Sequence, residues 1–174
     1  RYDMVVSESK DPAADFAAVY DLKQRTENNI SGTVSLKKVI STNLTLEAAF
    51  GRGVRSANMI ERFINHFTIG QDPYEYIGNP DLKAEVNNQF EIGFKAKNEN
   101  NSIQYAGSVY YSDLQNYIVG IVDPTQTRKY MPSLQPVNPK VFRNLNNAYR
   151  TGFEASFKID LTNEYYVKSE MAYV

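Results

Sequence analysis

The fold is decided between residues 78 and 97, where the chain reads GNPDLKAEVNNQFEIGFKAK. In the first part of this stretch, Asn79-Pro80 disfavours helix and predicts a turn. In the second part, two sets of side chains alternate along the chain. One set is Phe90, Ile92, Phe94 and Ala96, and the other is Glu91, Gly93, Lys95 and Lys97. This period of two predicts a β-strand with one apolar face and one polar face.

The same alternation recurs along the chain. It is clear in residues 103–112, 152–159 and 165–174, and less regular in residues 33–37 and 44–50. Helix signals are weaker, and they predict one short helix within Asp11–Leu22, with Pro12 at its first position, and one helical turn at Asn58–Phe63. Tyrosine and phenylalanine, which favour strands, are abundant, and paired asparagines favour turns. The sequence therefore predicts an all-β protein.

Connections between the predicted strands alternate in length. Long connections at residues 7–29, 57–85 and 123–141 alternate with short ones at residues 41–43, 98–101 and 160–163. A soluble sandwich gives no physical reason for this order, whereas an outer-membrane barrel has tight periplasmic turns and long extracellular loops. We therefore expect an antiparallel up-and-down meander of about seven strands, part of a large transmembrane β-barrel, with its tight turns on one edge.

Charged residues lie on the polar faces of the predicted strands, one or two to a strand. They are Glu47, Glu91, Lys95, Glu154, Lys158, Lys168 and Glu170. In a barrel they would line the lumen, and the apolar face would contact lipid. In a soluble carbohydrate-binding β-sandwich, which is the main alternative, they would form the solvent face.

Composition argues against several functions. The 19 basic and 20 acidic residues nearly cancel, which leaves no electrostatic footprint for nucleic acid. The chain has no cysteine and one histidine, His66, so it lacks a thiolate site, a multi-histidine metal site and a cysteine nucleophile. We therefore expect no enzyme, no resident metal and no cofactor.

Both ends of the chain have the pattern of strand interiors. The chain opens with Arg1-Tyr2-Asp3 and stops at Ala172-Tyr173-Val174. No apolar run approaches the roughly 18 residues of a transmembrane helix. We expect residues 1–174 to form a single partial β-barrel segment of a longer protein.

Residues 78–95 resemble the best-known sequence feature of TonB-dependent receptor barrels. That feature is a loop of the form Asn-Pro-x-Leu-Lys-Pro-Glu, followed by a strand that contains a glutamate and a glycine. The matching residues here are Asn79, Pro80, Leu82, Glu85, Glu91 and Gly93. Ala84 departs from the pattern, because the family usually carries proline there. We expect Leu82 to anchor the loop on the barrel rim, and Glu85 to accept hydrogen bonds from loop backbone.

Four other segments resemble the same family in the expected order. They are residues 1–3, 50–63, 110–118 and 144–154, the last with matches at Asn144, Gly152 and Glu154. Ala57 replaces a usual proline, and Asn116 stands where aspartate is common. Because the five segments cover nearly the whole chain, it is identified as a member of the TonB-dependent receptors.

The resemblance implies a receptor in the outer membrane of a Gram-negative cell that takes up a scarce ligand by energised transport. Ligands of the family include siderophores, haem, cobalamin, copper complexes and glycans. The implied partners are outer-membrane lipid, a plug domain of the same full-length protein, TonB bound through a missing N-terminal region, and a small-molecule or metal-chelate ligand. A passive porin, the second alternative, would leave the Asn-Pro-Asp-Leu loop unexplained.

Ligand-binding residues are expected in the long connections, which we assign to the extracellular side. The candidates are Met59, His66, Tyr74, Tyr76, Arg128, Tyr130 and Met131. Met59, His66 and Met131 have the chemistry to bind a soft metal such as copper. The alternative for Met59 and Met131 is that they pack the loops, and the alternative for His66 is an ordinary solvated loop histidine.

Overall fold

The computed structural model describes residues 1–174, and most of them lie in strands or in the connections between strands. The strands are β1 (Tyr2–Ser7), β2 (Arg25–Ile30), β3 (Gly32–Ser41), β4 (Leu44–Arg55), β5 (Asn65–Phe67), β6 (Tyr76–Ile77), β7 (Glu85–Lys97), β8 (Ile103–Gln115), β9 (Tyr117–Val122), β10 (Lys140–Leu145), β11 (Ala148–Asp160) and β12 (Tyr166–Tyr173). Two short helices are present, α1 (Ala14–Val19) and α2 (Met59–Phe63). Neither helix has the length and apolar character needed to cross a membrane.

The chain divides into two compact units. Unit 1 contains residues 1–30, 54–86 and 115–147, and unit 2 contains residues 31–53, 87–114 and 148–174. The three long connections between strands all belong to unit 1, and the three tight turns all belong to unit 2.

Unit 2 is built on a six-stranded sheet in the order β3-β4-β7-β8-β11-β12, so the strands of this sheet lie side by side in the order in which they occur along the chain. This is the expected antiparallel meander, with six strands where about seven were expected, because the first predicted strand, β1, pairs with β2 in a separate sheet. Its tight turns lie at one edge, because backbone hydrogen bonds join each turn to the next. Lys97 N donates to Asn43 O over 3.0 Å, and Asp160 N donates to Ser102 O over 2.8 Å. The prediction for the tight turns is therefore confirmed.

The two faces of the unit 2 sheet differ in chemistry. One face lines a broad cavity with the charged side chains Lys37, Glu47, Glu91, Lys95, Glu154 and Glu170. The other face carries large apolar side chains that remain open to the surroundings, among them Ile92, which is 66% exposed, and Phe90, which is 54% exposed. Aromatic rings pair along this face: Phe50 and Phe90 lie 4.8 Å apart, and Phe153 and Tyr173 lie 5.8 Å apart. The predicted division into a charged and an apolar face is confirmed.

Several predicted elements are shorter than the sequence pattern indicated. Predicted strands break at Asn116 and at Asn146-Asn147. Asn116 has a φ of 55°, a left-handed conformation that asparagine tolerates and a regular strand does not. The first predicted helix is confined to Ala14–Val19, so Pro12 lies before the helix and not at its first position.

Unit 1 contains a four-stranded sheet in the order β5-β6-β10-β9, with β6 and β10 parallel, and a separate pair of strands, β1 and β2. Neighbouring residues of β10 point to opposite faces, and both faces are covered. Phe142 packs in a cluster with Ala57, Tyr76, Leu82 and Ile118. Val141 packs in a second cluster with Phe16 and Ile77. The connections between strands therefore have a core of their own.

Candidate functional site

The loop at residues 78–85, here called the motif loop, is shaped by its own side chains. Asn79 accepts hydrogen bonds from Asp81 N over 2.9 Å and from Leu82 N over 3.3 Å, which closes a turn around Pro80. Its amide group donates to Phe142 O over 3.2 Å. Leu82 is 3% exposed and packs in the first apolar cluster. These contacts fasten the loop to the sheet of unit 1.

Asn144, from a second segment that resembles the family, binds the same loop. Its amide nitrogen donates to Lys83 O over 3.0 Å and to Asn116 O over 2.7 Å. Its amide oxygen accepts from Lys83 N over 2.9 Å. Three of the segments that resemble the family therefore meet at the side chain of Asn144.

Glu85 closes the motif loop with two further contacts. Oε1 accepts from Ile118 N over 2.6 Å, and Oε2 accepts from Arg55 Nε over 2.7 Å. Arg55 also donates to both carboxylate oxygens of Glu61, and Glu61 forms a capping box with Asn58 at the start of α2. The strand end at Arg55, helix α2, the motif loop and β9 are therefore joined by one chain of charge-assisted bonds.

Arg62 is a buried cation that the sequence interpretation did not single out. It is 1% exposed and donates to Pro80 O over 2.8 Å and to Ala57 O over 3.3 Å. Its Nη2 lies 2.8 Å from Glu27 Oε1, at ion-pair distance but without hydrogen-bond geometry. In the sequence, Arg62 is distinguished only by its position after Glu61 in a segment that resembles the family. That position gives no information about whether the side chain is buried.

The remaining motif residues lie in unit 2 and have different roles. Glu91 and Glu154 line the charged cavity. Gly93 and Gly152 lie where strands pass closely: a Cβ atom on Gly93 would be 3.0 Å from Gly107 O, and one on Gly152 would be 2.4 Å from Tyr173 O. The motif positions are thus divided between two units and do not form one site.

The seven candidate ligand-binding residues all lie in unit 1, but their exposure differs. Met59, Tyr130 and Met131 are exposed, and Tyr74 is half-buried beside the first apolar cluster. Tyr76 is 4% exposed within that cluster, and Arg128 is 8% exposed. His66 has a side chain that is 14% exposed.

Glu75 brings several of these candidates together, although the sequence interpretation missed it. Its carboxylate accepts from His66 Nδ1 at 3.1 Å, from Arg128 Nε at 3.3 Å, and from the backbone N–H groups of Lys129 at 2.8 Å and Tyr130 at 3.0 Å. Burial of Glu75 disfavours its charge, but these hydrogen bonds outweigh that effect and hold its pKa below its ordinary value. Glu75 is therefore an ionised buried carboxylate that fastens one long connection to another.

A second cavity, of about 430 Å³, lies within unit 1 where the three long connections meet. Its lining includes Phe16, His66, Asp123, Val141 and Arg143. Asp15 lies at the junction: it accepts from Lys129 over 2.6 Å and from Asn65 over 3.2 Å. A cavity of this size, with an apolar floor and a few polar groups, has the general form of a small-molecule site.

Comparison with known families gives one match that covers nearly the whole chain. The family described as TonB dependent receptor-like, beta-barrel matches residues 1–173. A comparison with curated protein sequences gave no match.

Solved structures share the fold. The siderophore receptor PirA from Pseudomonas aeruginosa superposes with a TM-score of 0.69 at 16% identity, over 86% of this chain and 29% of PirA. The copper transporter OprC superposes with a TM-score of 0.64 at 19% identity, over 87% of this chain and 21% of OprC. A third structure is a mutant of the ferric enterobactin receptor PfeA from Pseudomonas aeruginosa in complex with enterobactin. It superposes with a TM-score of 0.65 at 18% identity, over 86% of this chain and 23% of PfeA. The chain spans less than a third of each of these proteins.

Proposed function

This chain belongs to the TonB-dependent receptor β-barrel family, and on that premise we propose that it is one segment of the membrane-spanning barrel of a receptor for energised uptake of a scarce ligand across the outer membrane. The observation that carries the proposal is the chemistry of the unit 2 sheet, charged on one face and open and apolar on the other. A sheet face that exposes many large apolar side chains marks a protein or membrane contact. Lipid is the partner that covers such a face in a barrel, and a sandwich would bury it within the protein.

Strand length supports the same proposal. Strands β7, β8 and β11 each contain 13 residues, and β4 contains 12. A tilted transmembrane strand needs about 9–11 residues, whereas globular strands are most often about 5–6 residues long. These strands are long enough to cross the hydrocarbon core and continue beyond it.

The long connections of unit 1 are the proposed ligand-binding region, on the extracellular side. Proteins of the same fold are named as receptors or transporters for siderophores and copper, and one of them holds enterobactin. We extend this to a small molecule or metal chelate for this chain. The proposed contact residues are Met59, His66, Tyr74, Tyr76, Arg128, Tyr130 and Met131.

The proposed mechanism is binding and transport without chemical change of the ligand. The charged face of unit 2, with Glu47, Lys95 and Glu154, would face a plug domain of the same receptor. Energy would reach that plug through TonB. The motif loop and its partners would hold the extracellular region in place while the ligand binds.

The test is expression of the full-length receptor in Gram-negative cells, with and without TonB. We expect the protein in the outer-membrane fraction, with the heat-dependent gel mobility of a folded barrel. Uptake of radioactive ferric enterobactin and of copper is measured in both strains, and a ligand of the receptor is one whose uptake needs both the receptor and TonB. Recovery of the protein from the soluble periplasmic fraction would contradict the proposal.

A further inference from the structure

Lys140 lies beside two tyrosines on one face of the unit 1 sheet. Strands β6 and β10 pair in parallel with Lys140 opposite Tyr76, which places both side chains on the same face. The ammonium nitrogen lies 4.4 Å from the ring centre of Tyr74 and 5.5 Å from that of Tyr76. It also lies 2.5 Å from a carboxylate oxygen of Asp72. Two aromatic rings and one carboxylate therefore contact a single cation.

The carboxylate and the two rings are held in place by contacts that do not involve this cation. Asp72 Oδ1 accepts from the backbone N–H of Tyr74 over 3.0 Å, and Oδ2 accepts from the hydroxyl of Tyr76 over 2.8 Å. The ring centres of Tyr76 and Phe142 lie 5.3 Å apart. The Tyr76 ring also lies so close to β9 that a Cβ atom on Gly120 would be 2.7 Å from it. The group Asp72, Tyr74 and Tyr76, here called the cation cage, is therefore preorganised.

Lys140 fills the cation cage as a charged group, and it is the part of the arrangement that can leave. Burial of Asp72 disfavours its charge, but hydrogen bonds from Lys140 and Tyr76 outweigh this effect and hold the pKa of Asp72 below its ordinary value. The hydrogen bond to Asp72 in turn raises the pKa of Lys140. The lysine side chain is 21% exposed and has a flexible four-carbon stem. Its ammonium group can therefore move into solvent while the cage keeps its shape.

A carboxylate beside aromatic ring faces is a recognition site for organic ammonium groups, because a ring face attracts a cation that has lost its water. We propose that the cation cage binds an ammonium group of the incoming ligand, and that Lys140 fills the cage until the ligand displaces it. This inference rests on the proposed function and narrows its ligand: a ligand without a cationic nitrogen leaves Lys140 in place.

The first test measures binding of choline, an organic ammonium ion, to the full-length receptor purified in detergent. Lys140→Met removes the charge but keeps an unbranched stem, so the cation cage is left open. We expect this variant to bind choline at least about tenfold more tightly than the native receptor does. Neohexyl alcohol, which has the shape of choline but no charge, should bind to the variant at least about tenfold more weakly than choline. Isothermal titration calorimetry measures these affinities.

Lys140→Arg is the matched control, because it keeps a cation in the cation cage. We expect this variant to bind choline no more tightly than the native receptor does. In the double variant K140M/Y74L, the loss of one ring face should weaken choline binding about threefold to thirtyfold relative to Lys140→Met. An equal gain for Lys140→Arg and Lys140→Met would overturn the inference, because lost packing and not an open cage would then admit choline.

The second test measures displacement of Lys140 in the native receptor. Acetic anhydride modifies free lysine amines, and mass spectrometry reads the modification at Lys140 with the exposed Lys10 as internal reference. We expect saturating choline to raise the labelling of Lys140 severalfold, and that of Lys10 not at all, relative to sodium chloride at the same ionic strength. Unchanged labelling of Lys140 would overturn the inference. Heat-dependent gel mobility of the same preparations reports on the folded barrel, and so on the proposed function, separately.

Discussion

Replacement of Phe153 by arginine is expected to destabilise the receptor in a phospholipid bilayer by about 2–4 kcal/mol, the cost of a cation near the midplane on the lipid face of a barrel. Phe153 lies next to the midpoint of β11, on the apolar face, where its ring stacks on Tyr173. Arginine there would lose the ring contact and place its charge in hydrocarbon. The measurement is equilibrium folding into lipid vesicles, monitored by heat-dependent gel mobility in increasing urea.

The control introduces the same residue on the opposite face of the same strand. Ser156 lines the charged cavity and pairs across the sheet with Glu170. Arginine at this position would meet an opposite charge, and cross-strand pairs of this kind are mildly favourable. We expect Ser156→Arg to change stability by less than about 1 kcal/mol. Equal costs for the two variants would contradict the assignment of the faces.

Removal of the Arg62 side chain should lower the stability of the folded receptor by a similar amount, for a different physical reason. Arg62→Ala would leave Glu27 and the carbonyl oxygens of Ala57 and Pro80 without their cation, in a region that the side chain itself fills. Loss of one partner of a buried ion pair costs about 3–5 kcal/mol. The expected readout is faster proteolysis of the connection at residues 56–84, together with a lower urea midpoint.

An exposed ion pair in the same unit provides the control for Arg62→Ala. Arg25 contacts Asp81, also in the motif loop, but their side chains are 38% and 59% exposed. Exposed ion pairs contribute about 0–1 kcal/mol, so Arg25→Ala should have a small effect. If Arg25→Ala and Arg62→Ala are equally harmful, burial is not what makes Arg62 important.

The strands of unit 2 were predictable because their signal is local. Alternation in residues 90–97 depends only on which face each side chain takes, and the tight turn at residues 98–101 follows from its asparagines. The breaks at Asn116 and at residues 146–147 were not predictable from alternation. Asn116 takes a left-handed conformation, and its amide group donates to Ala84 O, 32 residues away.

Unit 1 was harder to predict because the residues that contact one another in it lie far apart in the sequence. Strand β6 contains two residues, too few for a period to appear, yet it pairs in parallel with β10. Glu75 finds its backbone partners 54 and 55 residues away. Tyr76 and Arg128 are ligand candidates because they lie in long connections assigned to the extracellular side, but Tyr76 is buried in the first apolar cluster and Arg128 is buried beside Glu75. Their role in binding remains a prediction.

The most direct test of a membrane-spanning receptor segment is labelling of single cysteines from one side of the membrane. The chain has no cysteine, so Met131→Cys in a long connection and Glu99→Cys in a tight turn each introduce one thiol, with the parent receptor as background. Both positions are exposed. In intact cells, a large polyethylene glycol maleimide should label Met131→Cys and leave Glu99→Cys unlabelled until the outer membrane is permeabilised. Equal labelling of the two variants in intact cells would contradict a segment that crosses the membrane.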